Sequence, residues 1–197
     1  MHRFFLVVLV AWCVIVVGCS GGGSDPLDKT AAQLTAEGWQ AFSVKNYPLA
    51  NSKFVEALAR DANFIDANNG SGWANARLNA LSAAAAAFST GRGKAPANLE
   101  IITGLAFVEN AQKNYASSII DANAVLQANP NWIFSRDASV SSMDLHLLLA
   151  ENYFAQANYT SSLQQVQLLN SAFSADPSTS GGQDAIAREL ERLRSIV

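Results

Sequence analysis

Cysteine is scarce in this chain: two in 197 residues, Cys13 and Cys19, both within the first twenty. The rest of the chain therefore has no disulfide, no zinc–thiolate site and no cysteine nucleophile. Histidine is as rare, with His2 at the start and His146 alone in the body, so no His-based metal cluster can form and no metal site is expected. Charge is sparse and nearly balanced, 13 Lys+Arg against 16 Asp+Glu. The absence of a basic run or stripe excludes nucleic acid as a partner. Also missing are a G-x-S-x-G elbow, a Walker-type phosphate loop and an HExxH pair. No catalytic residue stands out, and the chain reads as a non-enzyme. His146 is expected to be a structural, half-buried side chain. Strand-like alternation is absent too. What remains is half apolar, enough for one domain with a substantial core.

The apolar residues begin at once. After His2 and Arg3, residues Phe4 to Val17 form an unbroken apolar run of fourteen. A membrane-spanning helix needs ~20 such residues, whereas this length suits the hydrophobic core of a secretory leader. The run ends in Val16-Val17-Gly18-Cys19, followed by Ser20-Gly21-Gly22-Gly23-Ser24. The first four residues resemble the lipobox of bacterial lipoproteins. The resemblance implies cleavage after Gly18 and fatty acylation (palmitate-type chains) of Cys19, a covalent lipid and the only non-protein group expected. Multiple acyl chains hold a protein on a membrane, whereas one gives marginal, reversible binding. The Gly/Ser segment reads as a flexible tether reaching at most ~18 Å. Ser20, where Asp would resemble an inner-membrane retention signal, favours the outer membrane facing the periplasm. The chain thus divides into a leader at 1–18, the lipidated cysteine and tether at 19–26, a folded body at 27–176 and a last helix at 177–197.

The body repeats every 34 residues. Gly38, Gly72 and Ala106 keep that spacing, as do Tyr47, Leu81 and Tyr115; Ala50, Ala84 and Ser118; and Phe54, Phe88 and Ala122. Ala62, Pro96 and Pro130 mark the ends of the units. A fourth unit follows if ten residues are inserted at about 133–142, and it supplies Ala150, Tyr159, Ser162 and Val166. This pattern resembles the tetratricopeptide (TPR) repeat, a helix pair with a small residue at the crossing, aromatics filling the wedge and a proline at the end. Departures occur: Glu37 and Ser71 stand where the family has Leu, and Leu34, Asn68, Ile102 and His146 stand where it has Trp. The fold implied is all-α, a right-handed helical solenoid of about four TPR-like helix pairs plus a C-terminal capping helix. Ile186, Leu190, Leu193 and Val197 give that last helix one apolar stripe. Residues 91–94 (Gly-Arg-Gly-Lys) sit at the end of a helix and read as its C-terminal cap and turn, not as a phosphate cradle.

In TPR arrays the first helix of each pair lines a concave groove. The resemblance places Trp39, Trp73 and Phe107 there as an aromatic ladder, with Phe42, Arg77 and Asn110 one turn on and Glu151 and Phe154 in the fourth unit. Three readings of the ladder stay open. It binds a segment of another envelope protein, since aromatics dominate binding hot spots, or it packs as core, or its faces stack on sugar rings. The insertion carries Trp132, Ile133 and Phe134 in a row. It folds onto the solenoid, or forms a second candidate site through Trp132 and Phe134. The function expected is a membrane-tethered protein–protein interaction scaffold of the cell envelope. The alternatives are a small-ligand or glycan-binding lipoprotein using the same groove, and a self-associating structural spacer.

Overall fold

The computed structural model describes residues 29–196. The leader, Cys19 and the tether lie outside the described residues. Nine helices and no strand are found among those described: α1 (Ala31–Ser43), α2 (Tyr47–Arg60), α3 (Ile65–Arg77), α4 (Leu81–Lys94), α5 (Leu99–Ala111), α6 (Tyr115–Ala128), α7 (Ser142–Ala155), α8 (Tyr159–Leu169) and α9 (Ser180–Arg194). None is long and apolar enough to cross a membrane.

Local chemistry sets the helix boundaries. Thr30 and Gln33 form a capping box at the start of α1, and Ser141 and Asp144 form another at α7. Each satisfies backbone N–H groups that a first helical turn leaves without partners. Within each pair the turn is the same: Lys45, Asn79, Lys113 and Ala157 adopt positive φ of 58° to 64°. They are followed by Asn46, Ala80, Asn114 and Asn158, and then by the first residue of the next helix. None of the four is glycine, although a left-handed backbone costs an L-residue ~1–2 kcal/mol. The repeated turn fixes the angle within each pair and marks the repeat independently of the side chains in the core.

The packing order is that of a solenoid. Each odd helix packs against the even helix that follows, and α1, α3, α5 and α7 also touch in succession, whereas α2, α4, α6 and α8 do not touch one another. The odd helices therefore line the concave side. Helix α9 packs on both α7 and α8, the place a further odd helix would take. It buries Ile186, Leu190 and Leu193 there, which covers the stacking face of the last pair.

The small residues at the crossings do what the repeat pattern implies. A Cβ on Gly38 would lie 2.5 Å from the Phe54 ring, and one on Gly72 would lie 2.4 Å from the Phe88 ring. Each phenyl is fully buried and also abuts a glycine of the next odd helix, Gly70 for Phe54 and Gly104 for Phe88. Burial of one such ring contributes ~1.5–3 kcal/mol. In the later pairs the wedge is Ala122 or Val166 and the crossing residue is Ala106 or Ala150, all fully buried. Residues 91–94 end α4, forming its last helical turn, and the C-cap falls one residue later, at Ala95; Gly91 lies against α5, where an added Cβ would meet Ile101 at 2.8 Å.

Candidate functional site

The concave side of the first three pairs carries Trp39 on α1, Trp73 on α3 and Phe107 on α5. This surface is not open. Residues 129–141, between α6 and α7, fold back across it as a short hairpin. The hairpin is closed by an antiparallel bridge between Ile133 and Ser141 and by bonds from Phe134 N–H to Val140 O and from Ser142 N–H to Trp132 O, both 2.8 Å. Phe134 enters the ladder with no exposed surface. Its ring stacks on Trp73 at 4.3 Å with the planes 23° apart. It also meets Trp39 at 6.2 Å and Phe42 at 6.3 Å edge-on, while Trp132 stacks on its outer side at 6.3 Å. Such aromatic pairs add ~0.5–1.5 kcal/mol beyond the area they bury.

Charged pairs pin the rim of the hairpin. The Arg136 guanidinium lies 4.8 Å from the centre of the Trp39 ring and 3.5 Å from Asp66. Asp66 also accepts a hydrogen bond from Trp39 Nε1 at 3.0 Å. Arg77 pairs with Asp137 at 2.9 Å. The Asp137 carboxyl is held below the usual carboxylate range, first by the Ser139 hydroxyl and then by the Ser139 backbone N–H and Arg77. Ser135 donates to Glu100, which also accepts from Asn69.

The candidate residues thus divide. Trp39, Phe42, Trp73, Trp132 and Phe134 are together and buried, so the ladder is no open surface and the insertion presents no free apolar loop; the hairpin closes one with the other. Only Ile133 of the consecutive apolar residues stays exposed. Arg77 and half-buried Phe107 remain at the rim, in a cleft of about 220 Å³ with Trp73, Val140 and Asp144. Asn110, Glu151 and Phe154 lie farther along, in a second cleft of about 270 Å³ that also includes Lys113 and Arg194. There Arg194 of α9 pairs with Glu151 at 2.5 Å, and Asn110 donates to Asn152 at 2.7 Å. His146 is half-buried and bonded to Gln165 at 2.8 Å. Among the described residues no group of three or more His, Cys, Asp or Glu is placed to hold a metal.

Sequence reasoning did not find Asp66, Glu100, Arg136, Asp137 or Val140. The hydrogen-bond and ion-pair partners that Asp66, Glu100, Arg136 and Asp137 reach across the groove lie 27 to 70 residues away in the chain, and no spacing rule relates them. The one available signal was the position of Arg136 and Asp137 beside Phe134.

Comparison with known proteins supports the fold. No protein-family model matches the chain, and no curated protein matches it either. Solved structures do. A crystal structure of MamA aligns with a TM-score of 0.59 at 10% identity, over 84% of this chain and 81% of that one. MamA from Desulfovibrio magneticus RS-1 aligns with a TM-score of 0.60 at 14% identity, over 73% and 78%. A tetratricopeptide repeat protein from Parabacteroides merdae aligns with a TM-score of 0.58 at 14% identity, over 84% of this chain and 60% of that one. The chain has a TPR-like helical solenoid fold.

Proposed function

We propose that this protein is a lipid-tethered, non-enzymatic scaffold of the bacterial cell envelope. In this reading it is anchored through Cys19, on the outer membrane facing the periplasm, and recruits another envelope protein through its concave side. The observation that carries the reading is the row of part-exposed side chains that the hairpin leaves along the odd helices, Arg77 and Phe107 in one cleft and Asn110, Glu151 and Phe154 in the next. A solenoid presents such a row as one extended surface. The Val-Val-Gly-Cys sequence before a Gly/Ser segment supports the anchor. The covalent lipid is the sole non-protein group invoked.

Two experiments test this. In cells that make the protein, a photo-reactive residue placed at Arg77, Asn110 or Phe154 should crosslink to one defined protein, whereas the same residue at exposed Val55 on α2 should not. Equal crosslinking from both sides, or none, removes the concave side from the mechanism. Cys19→Ser should abolish fatty-acid labelling and release the chain from the membrane fraction; a variant that stays labelled disproves the anchor.

A further inference from the structure

The hairpin that fills the concave side indicates what else fits there. Along it the face meets three features in order: the Phe134 ring against Trp73, the Arg136 cation against Trp39 and Asp66, and the Asp137 anion against Arg77. The fit uses side chains alone. Every backbone-to-backbone hydrogen bond made by residues 131–140 stays within residues 129–142, the link and the first residue of α7. The segment can therefore leave the face as an intact hairpin without breaking any of those bonds. Three buried side chains, Trp132, Phe134 and Val140, and the ion pairs of Arg136 and Asp137 hold it, while Ile133, Ser135, Arg136, Ala138 and Ser139 are exposed. Segments with few buried anchors open at lower free energy than the helices they cover. The face beneath is also incompletely matched. Trp73 Nε1 and Asn69 Oδ1 on α3 and Thr103 Oγ1 on α5 are buried and have no hydrogen-bond partner among the described residues. A better ligand has an indole donor, an amide acceptor and a hydroxyl that can do either left to satisfy.

We propose that residues 129–141 are the resident occupant of a peptide-binding face, exchanged for a segment of another protein. The incoming segment would carry an aromatic residue, a basic residue two places later and an acidic residue directly after it. This inference rests on the reading of the concave side as the partner surface, and adds the chemistry of the partner and the release of the internal occupant. Tethered in the same chain, the hairpin competes at an effective concentration on the order of millimolar. A free peptide of the same sequence is therefore excluded until the hairpin is weakened.

The test uses the full chain in detergent and a fluorescent peptide of residues 130–141. Phe134→Ala, which removes the anchor ring, should bind this peptide at least tenfold more tightly than the unaltered protein. A peptide with its Arg and Asp exchanged should bind that variant several-fold more weakly than the native order. Equal binding of the peptide to both proteins overturns the proposal. Should Phe134→Ala fail to fold, hydrogen exchange at the Trp73 indole N–H of the unaltered protein decides, because the hairpin covers that ring: exchange faster than at the α3 and α5 amides supports release, and exchange only with global unfolding makes the hairpin core and overturns it. A dimer that forms with concentration and disappears in Phe134→Ala makes the occupant a second copy, which also overturns it. These readouts use purified protein, so failure of crosslinking in cells would count against the scaffold reading while leaving the peptide result standing.

Discussion

The first two helix pairs and the last two solve the same packing problem with different chemistry. In the first two a phenyl ring is the wedge, Phe54 against Gly38 and Gly70, and Phe88 against Gly72 and Gly104. In the last two the wedge shrinks to Ala122 and Val166, and a buried serine takes over the crossing: Ser118 Oγ donates to Ala106 O at 2.7 Å and Ser162 Oγ to Ala150 O at 2.8 Å. Asn152 then donates to Ser118 Oγ at 2.7 Å, across 34 residues. The concave side changes in parallel. It is aromatic and closed by the hairpin over α1 and α3, and polar and open beside Glu151 and Arg194. A repeat thus conserves its geometry through volume in one half and through hydrogen bonds in the other, and surface character follows the choice.

The comparison breaks most visibly at the wedge. Phe88→Ala should destabilise the fold by ~3–5 kcal/mol, measured by urea unfolding. Phe134→Ala, in an equally buried ring, should cost less because the hairpin can detach and leave the solenoid folded. An equal loss for both would place the hairpin in the cooperative core. Next in size are the two crossings. Gly72→Ala drives a Cβ into the Phe88 ring and should cost ~1–3 kcal/mol. Ser118→Ala removes the acceptor of the buried Asn152 amide group and the hydroxyl bond to the Ala106 carbonyl, and should cost about as much. A small effect of Ser118→Ala would mean that volume, and not hydrogen bonding, holds the later pairs as well.

The polar half also carries a pH signature. Burial raises the Glu109 carboxyl on α5 to about 7, with the neighbouring Asp121 carboxylate adding to the rise and Arg92 opposing it. The folded state therefore holds this proton while the unfolded chain, near 4.5, has lost it. Stability from this group falls as pH rises from 4.5 to 7 and is level above that. Glu109→Gln should flatten the melting temperature over that window; an unchanged slope would assign the pH dependence to other groups. Asp137 and Glu189, held below their ordinary values, act oppositely and lose their contribution as pH falls through their folded values. Smaller still, Arg194→Ala should cost under ~1 kcal/mol and widen the cleft at Glu151, seen as a weak effect that vanishes at high salt. Smallest is Ala157→Gly. Relief of the left-handed strain should slightly outweigh the added freedom of the unfolded chain, a gain of ~0.5 kcal/mol readable as a small rise in melting temperature.

The helices, their pairing and the inserted length were legible in the sequence because they depend on local spacing. Tyr47, Leu81, Tyr115 and Tyr159 each start an even helix, and the last interval is longer by the ten residues inserted before α7. Helix periodicity and turn chemistry act within a few residues, so a 34-residue period survives even where Phe becomes Ala. The aromatic ladder was legible as a row for the same reason. What that row faces was not. Phe134 reaches Trp73 across 61 positions, and Arg136 reaches Asp66 across 70. Such pairs are chosen by shape and charge once the solenoid has curved, with no period linking them. The sequence determined a TPR-like solenoid with one irregular link; only tertiary packing decided that the link lies in the groove, because a hydrophobic segment without a periodic partner goes where the folded surface lets it leave water.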